Sequence, residues 1–118
     1  MTSYLPAVDR LFQALGDPTR LGIVERLSHG PASVSELARP ADMALPSFLQ
    51  HLKVLEACGL VTSEKSGRVR TCRLERGALS AAERWIEAQR TAWNHRLDAL
   101  EEFVVETAAL SKDVKTHE

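Results

Sequence analysis

With 118 residues, 44% of them hydrophobic and 26% charged, the chain has room for one globular domain, and its six aromatic residues (Tyr4, Phe12, Phe48, Trp85, Trp93, Phe103) leave most of the core to Leu, Ile, Val and Ala. Two cysteines are too few for a disulfide framework, no apolar run approaches the roughly 18 residues that span a bilayer, and residues 1–6 lack the basic-then-apolar pattern of a secretion signal, so a reduced, cytoplasmic protein is expected. The net charge of −1 is uneven: residues 1–43 carry four bases against five acids (−1), residues 44–76 six against three (+3), and residues 77–118 five against eight (−3).

A first helix is expected over residues 6–15, where Leu5, Val8, Leu11, Phe12 and Leu15 step by three and four. Gly16 ends it. Asp17 then serves as N-cap of a second helix, with Pro18 at its first position. That helix runs to about His29 with Leu21, Ile23, Val24 and Leu27 apolar, and Gly30 and Pro31 stop it. Ser33 and Glu36 form a capping box for a short third helix that Pro40 breaks. A tight turn over residues 41–44 leads to a fourth helix, with Pro46 in its first turn and Phe48, Leu52 and Leu55 on its apolar face. It ends near Ala57, before Gly59.

The pattern then changes. Residues 60–65 and 69–74 are two β-like runs, joined through Ser66, Gly67 and Arg68 into the one hairpin expected of the chain. Helix returns from about residue 78 to 110, where Leu79, Ala82, Ile86, Gln89, Trp93, Leu97, Leu100 and Val104 form a stripe with Trp85 and Phe103 beside it. Roughly 30 residues at about 1.5 Å each make a rod of some 45 Å, which a domain this small cannot cover, so a second copy is expected along it. The polar tail, residues 111–118, is expected to fray.

The order is therefore mainly α with one β-hairpin: five helices, the last a long dimerisation helix. A short helix, a tight turn and a second helix make a helix-turn-helix (33–58), the hairpin is its wing (60–75), and the terminal helix (78–110) completes a single domain over residues 1–118. Such a fold lays its fourth helix in the major groove of double-stranded DNA. Ser47, Gln50 and His51 are then the candidates for base edges, and Lys53, Lys65, Arg68 and Arg70 for phosphates, with Arg68 at the hairpin tip suited to the minor groove. The dimer interface is expected from Leu5, Val8, Phe12, Ile86, Trp93, Leu97, Leu100 and Val104.

Three segments carry a family resemblance. Residues 15–24 (Leu15, Gly16, Asp17, Pro18, Thr19, Arg20 and onward) are similar to the opening signature of the ArsR/SmtB repressors. Gln50, His51, Leu52, Lys53, Val54, Leu55 and Glu56, with Gly59, Leu60 and Val61, resemble the recognition helix and the approach to the wing. Residues 67–74 resemble the wing. The resemblance implies a homodimeric repressor that binds a roughly palindromic operator, often before its own gene, and that releases it on binding a small-molecule or metal effector. The departures are as specific. The third helix has no thiol pair, and the last helix offers only His95 and Asp98, with His117 and Glu118 in the tail, so no metal site and no cofactor are expected and the chain resembles a branch without the usual metal motifs. Ala44 replaces a frequent capping Ser. Leu45 replaces a frequent polar reader, and suits a thymine methyl instead.

Two further readings stand beside DNA binding. Cys58 and Cys72, the latter expected across from Val61 or Thr62, could form a thiol site for a metalloid or oxidant, with Lys65, Arg70 and Arg73 nearby to lower a thiolate pKa. The near-neutral charge and Leu45 would also suit a protein-interaction module that no longer binds DNA. Enzymatic function is not expected, since no nucleophile has a base at a workable spacing and no phosphate loop is present.

Overall fold

The computed structural model describes the backbone of residues 5–116 and the side chains of residues 8–110. Two compact units divide the chain, one ending at Glu83 and the other beginning at Arg84. The first holds α1 (Leu5–Leu15), α2 (Pro18–Leu27), β1 (Ala32–Ser33), α3 (Val34–Ala38), α4 (Leu45–Ala57), β2 (Val61–Ser66), β3 (Val69–Leu74) and the first turns of α5 (Arg76–Thr116).

Local chemistry sets most of these boundaries. Asp17, in extended backbone, accepts the Arg20 amide at 3.1 Å and so starts α2, with Pro18 in the position where a missing N–H costs nothing. Ser33 Oγ accepts the Glu36 amide at 3.1 Å while the Glu36 carboxylate accepts the Ser33 amide at 3.4 Å, the reciprocal capping box of α3. The end of α4 is a Schellman motif. Gly59 takes φ +83°, the Leu60 amide reaches back to the Leu55 carbonyl at 3.0 Å, and the Gly59 amide to Glu56 at 3.1 Å.

The core of this unit is built around α4. Phe48, Leu52 and Leu55 are hidden almost completely and meet Leu60, Val61 and Cys72 from the sheet and Leu11, Ile23 and Leu37 from the other helices. Ala82, at the start of α5, joins the same cluster.

The sheet has three antiparallel strands in the order β1-β3-β2. β2 and β3 pair from Val61 with Leu74 to Ser66 with Val69, closed by a two-residue turn at Gly67 and Arg68. Gly67 has φ +62° and Arg68 does not share the positive φ, the pattern of a type II′ turn, which needs Gly at its first central position. The expected hairpin is present, and β1 adds an unexpected third strand to it through Ala32 with Cys72 and Ser33 with Thr71. Cys72 lies across from Ser63, not from Val61 or Thr62, because the turn takes two residues and not three.

The second unit is the remainder of α5. The helix runs to Thr116, six residues past its expected end at 110 and through most of the segment expected to fray. Neither Pro nor Gly interrupts it after Gly77, so no backbone feature forces a stop. Every described residue from Ile86 to Leu110 is exposed. No helix of the described residues is long and apolar enough to cross a membrane.

Candidate nucleic-acid interface

Burying Phe48, Leu52 and Leu55 orients the rest of α4. Off that buried face, Leu45, Ser47, Leu49, Gln50, Lys53 and Val54 are exposed, Leu45 and Leu49 along its edge. On the wing, Lys65 and Arg68 are exposed as well, Arg68 within the turn itself. Among the described residues, Lys53, Lys65 and Arg68 have no acidic partner within ion-pair distance. Their charge is available to an outside anion.

Arg70 is different. Its Nη2 donates to both carboxylate oxygens of Glu56, at 2.8 and 3.0 Å, and its Nε donates to Ser63 Oγ at 2.8 Å. Ser63 in turn donates to Glu56 at 3.1 Å. This charge-assisted contact, one guanidinium nitrogen shared between both carboxylate oxygens, braces the wing against the end of α4 and offsets the charge that the sequence assigns to a phosphate.

His51 is also engaged. It is half-buried, and its Nδ1 lies 2.9 Å from Arg20 Nη1 and 3.6 Å from Asp17 Oδ2. A guanidinium only donates, so Nδ1 accepts and the ring is held as the Nε2–H tautomer. Arg20 is itself fixed, since its Nε donates to the Ala14 carbonyl at 2.6 Å. One arginine thus ties the end of α1 and the start of α2 to the middle of α4. The Arg20 amide holds the Asp17 carboxyl below its usual range, opposed by partial burial and aided by the charge of Arg20.

Val8 is buried, at 4% exposure, and Phe12 packs half-buried against the core of the first unit, so neither presents a fully open surface in the single protomer. The Leu5 side chain lies outside the described residues, as do His117 and Glu118. Ile86, Trp93, Leu97, Leu100 and Val104 are all exposed along the second unit. Cys58 is half-buried, its Sγ directed at the Leu55 carbonyl at 3.4 Å, and both thiols are free. Burial pushes the Cys72 thiol up, Glu56 adds to this, and Arg70 opposes it too weakly to win. The expected lowering by nearby cations is therefore reversed, because Cys72 faces the core. Among the described residues no three His, Cys, Asp or Glu side chains converge as a cation site would need.

Sequence reasoning missed Leu49, Arg20, Glu56 and Ser63. Leu49 was legible as the residue four beyond Leu45, but it follows Phe48 and is masked by the apolar face beside it. Contacts between residues 14 and 31 positions apart leave no local signal.

A helix-turn-helix whose second helix is exposed on one side and braced to a hairpin defines a winged helix-turn-helix protein. A helix-turn-helix domain family matches residues 15–64. The HTH-type transcriptional regulator Rv2034 of Mycobacterium tuberculosis is 48% identical over 73 residues, covering 62% of this chain and 68% of that protein. The HTH-type transcriptional repressor SmtB of the same organism is 42% identical over 64 residues, 54% of this chain and 47% of its own, so the chain spans about half of that relative. The crystal structure of an ArsR family transcriptional regulator is 49% identical, with TM-score 0.75, over 80% of this chain and 97% of that one. An ArsR-like transcriptional regulator from Rhodococcus sp. RHA1 is 31% identical, with TM-score 0.76, over 86% and 96%. The chain belongs to the ArsR/SmtB family of winged helix-turn-helix transcriptional regulators.

Proposed function

We propose that the chain is a homodimeric repressor that binds a two-fold operator in its own upstream region. The observation that carries this is the exposed side of α4 set beside uncompensated Lys53, Lys65 and Arg68. α4 enters the major groove, with Ser47, Gln50 and Leu45 toward base edges and Lys53 toward a phosphate. Arg68 reaches the backbone or minor groove from the wing. His51 and Arg70 act one step back, His51 by presenting Nε2–H and Arg70 by setting the wing. Dimerisation follows from the exposed apolar stripe of α5, and a dimer places two reading helices about one helical turn apart on the duplex.

A fluorescence-anisotropy titration against the upstream region tests this. Affinity is expected to fall by about 10³-fold or more between 50 and 200 mM salt, as for a dimer neutralising roughly six phosphates or more. Arg68→Ala is expected to weaken all sequences alike and to flatten the salt slope, whereas Gln50→Ala shifts sequence preference. Binding that is absent, or present and indifferent to salt, would replace this reading with that of a protein-interaction module.

A further inference from the structure

Leu45 and Leu49 stand one turn apart along the edge of α4's buried face, at 54% and 38% exposure, and Lys53 continues the same i, i+4 row. Neither belongs to the core cluster that Phe48, Leu52 and Leu55 build. Leu49 also lines a shallow cavity of about 230 Å³ with Gln50, Lys53, Glu56 and Arg70, between the helix and the wing. Two large apolar side chains thus sit amid groups suited to nucleic acid.

Resting on the reading of α4 as the major-groove helix, we propose that Leu45 and Leu49 select thymine methyl groups, so that each half-site carries A·T pairs two base steps apart. Thymine alone presents an apolar group on its major-groove edge, while G·C pairs present only donors and acceptors there. A leucine pressed on a G·C pair strips those groups of water and returns no hydrogen bond. Pressed on a thymine methyl, it removes apolar surface from water on both sides. Gln50, adjoining Leu49, offers an amide that pairs bidentately with adenine, so neighbouring residues of α4 match the two halves of one A·T pair. Spacing agrees: four helical residues advance about 6 Å, close to two base steps of about 3.4 Å. The cations flanking the pair favour DNA over an apolar protein surface as the occupant.

Duplexes selected from a random-sequence pool by the intact protein supply the probe. Each thymine is then replaced in turn by uracil, which pairs identically and lacks only the methyl. Two positions in each half-site, two steps apart, are expected to lose about three- to fivefold in affinity per methyl removed, the worth of hiding roughly one such group. Leu49→Ala should abolish the penalty at one position and Leu45→Ala at the other. Both residues are exposed, so both variants fold. Arg68→Ala should bind more weakly yet keep the full uracil penalty. Uracil tolerated at every position, penalties equal in the wild type and both leucine variants, or selected half-sites with G·C pairs beneath α4 would overturn the methyl assignment while leaving DNA binding intact. Failure to enrich any duplex would instead remove the DNA reading and this inference with it.

Discussion

In the first unit Leu55, Leu60 and Cys72 have no exposed surface at all, while the large apolar residues of the second unit from Ile86 onward are exposed, from 42% at Ile86 to 66% at Leu110. Both regions are rich in Leu, Val and aromatic residues, so composition does not separate them. What separates them is the presence of elements to pack against. Short helices and strands of the first unit surround α4 on several sides. The second unit is one helix whose described residues from Ile86 onward are exposed, and in the proposed dimer that stripe is the surface offered to a second copy. On that proposal folding stability and assembly rest on different residues and are open to independent perturbation.

The largest expected effect lies in the first unit. Phe48 is 1% exposed, and Phe48→Ala should cost about 3–5 kcal/mol, read as a fall of some 10 °C or more in Tm. An unchanged melt would show that this core does not govern stability. Next, Leu97→Glu combined with Leu100→Glu should raise the dimer dissociation constant at least about 100-fold, since like charges would face each other where apolar contact is expected. Sedimentation should show protomers at micromolar concentration, and the amide spectrum of the first unit should stay folded. A variant that still sediments as a dimer would move the interface elsewhere.

A smaller effect separates the two thiols. At pH 8, alkylation should label Cys58 at least about tenfold faster than Cys72, which is buried and held protonated. Because folding raises the Cys72 pKa, its contribution to stability is complete below the unfolded value and disappears as pH rises through the folded one. Equal labelling would mean that the sheet opens readily. The smallest effect concerns Asp17, whose pKa folding lowers. Its contribution is present above the usual carboxylate range and is lost as pH falls through the folded value. Asp17→Asn should flatten the acid limb of the Tm–pH profile while changing Tm near neutrality by roughly a degree or two.

Where a residue's role depends on near neighbours, the sequence announced it. Asp17 with Pro18, and Ser33 with Glu36, fix helix starts within four residues, and Gly67 selects its own turn. The periodicity of Phe48, Leu52 and Leu55 identified the buried face of α4 for the same reason. β1 escaped notice because two residues carry no alternation and become a strand only through pairing with β3. Arg70 read as a phosphate ligand because Glu56 is fourteen positions away, and His51 as a free reader because Arg20 is thirty-one away. Val8 fits an interface stripe and a core stripe equally well by spacing, and its 4% exposure in the protomer is not something spacing can supply.

Ser33 belongs to two elements at once. It ends β1, paired with Thr71 of the wing's inner strand, and its hydroxyl caps α3. With Glu56 and Arg70 clamping the other side, the wing is tied to the helices at two separate points. Part of the wing's entropy is thereby surrendered when the chain folds, and in the proposed complex that much less ordering is left to be done at the duplex.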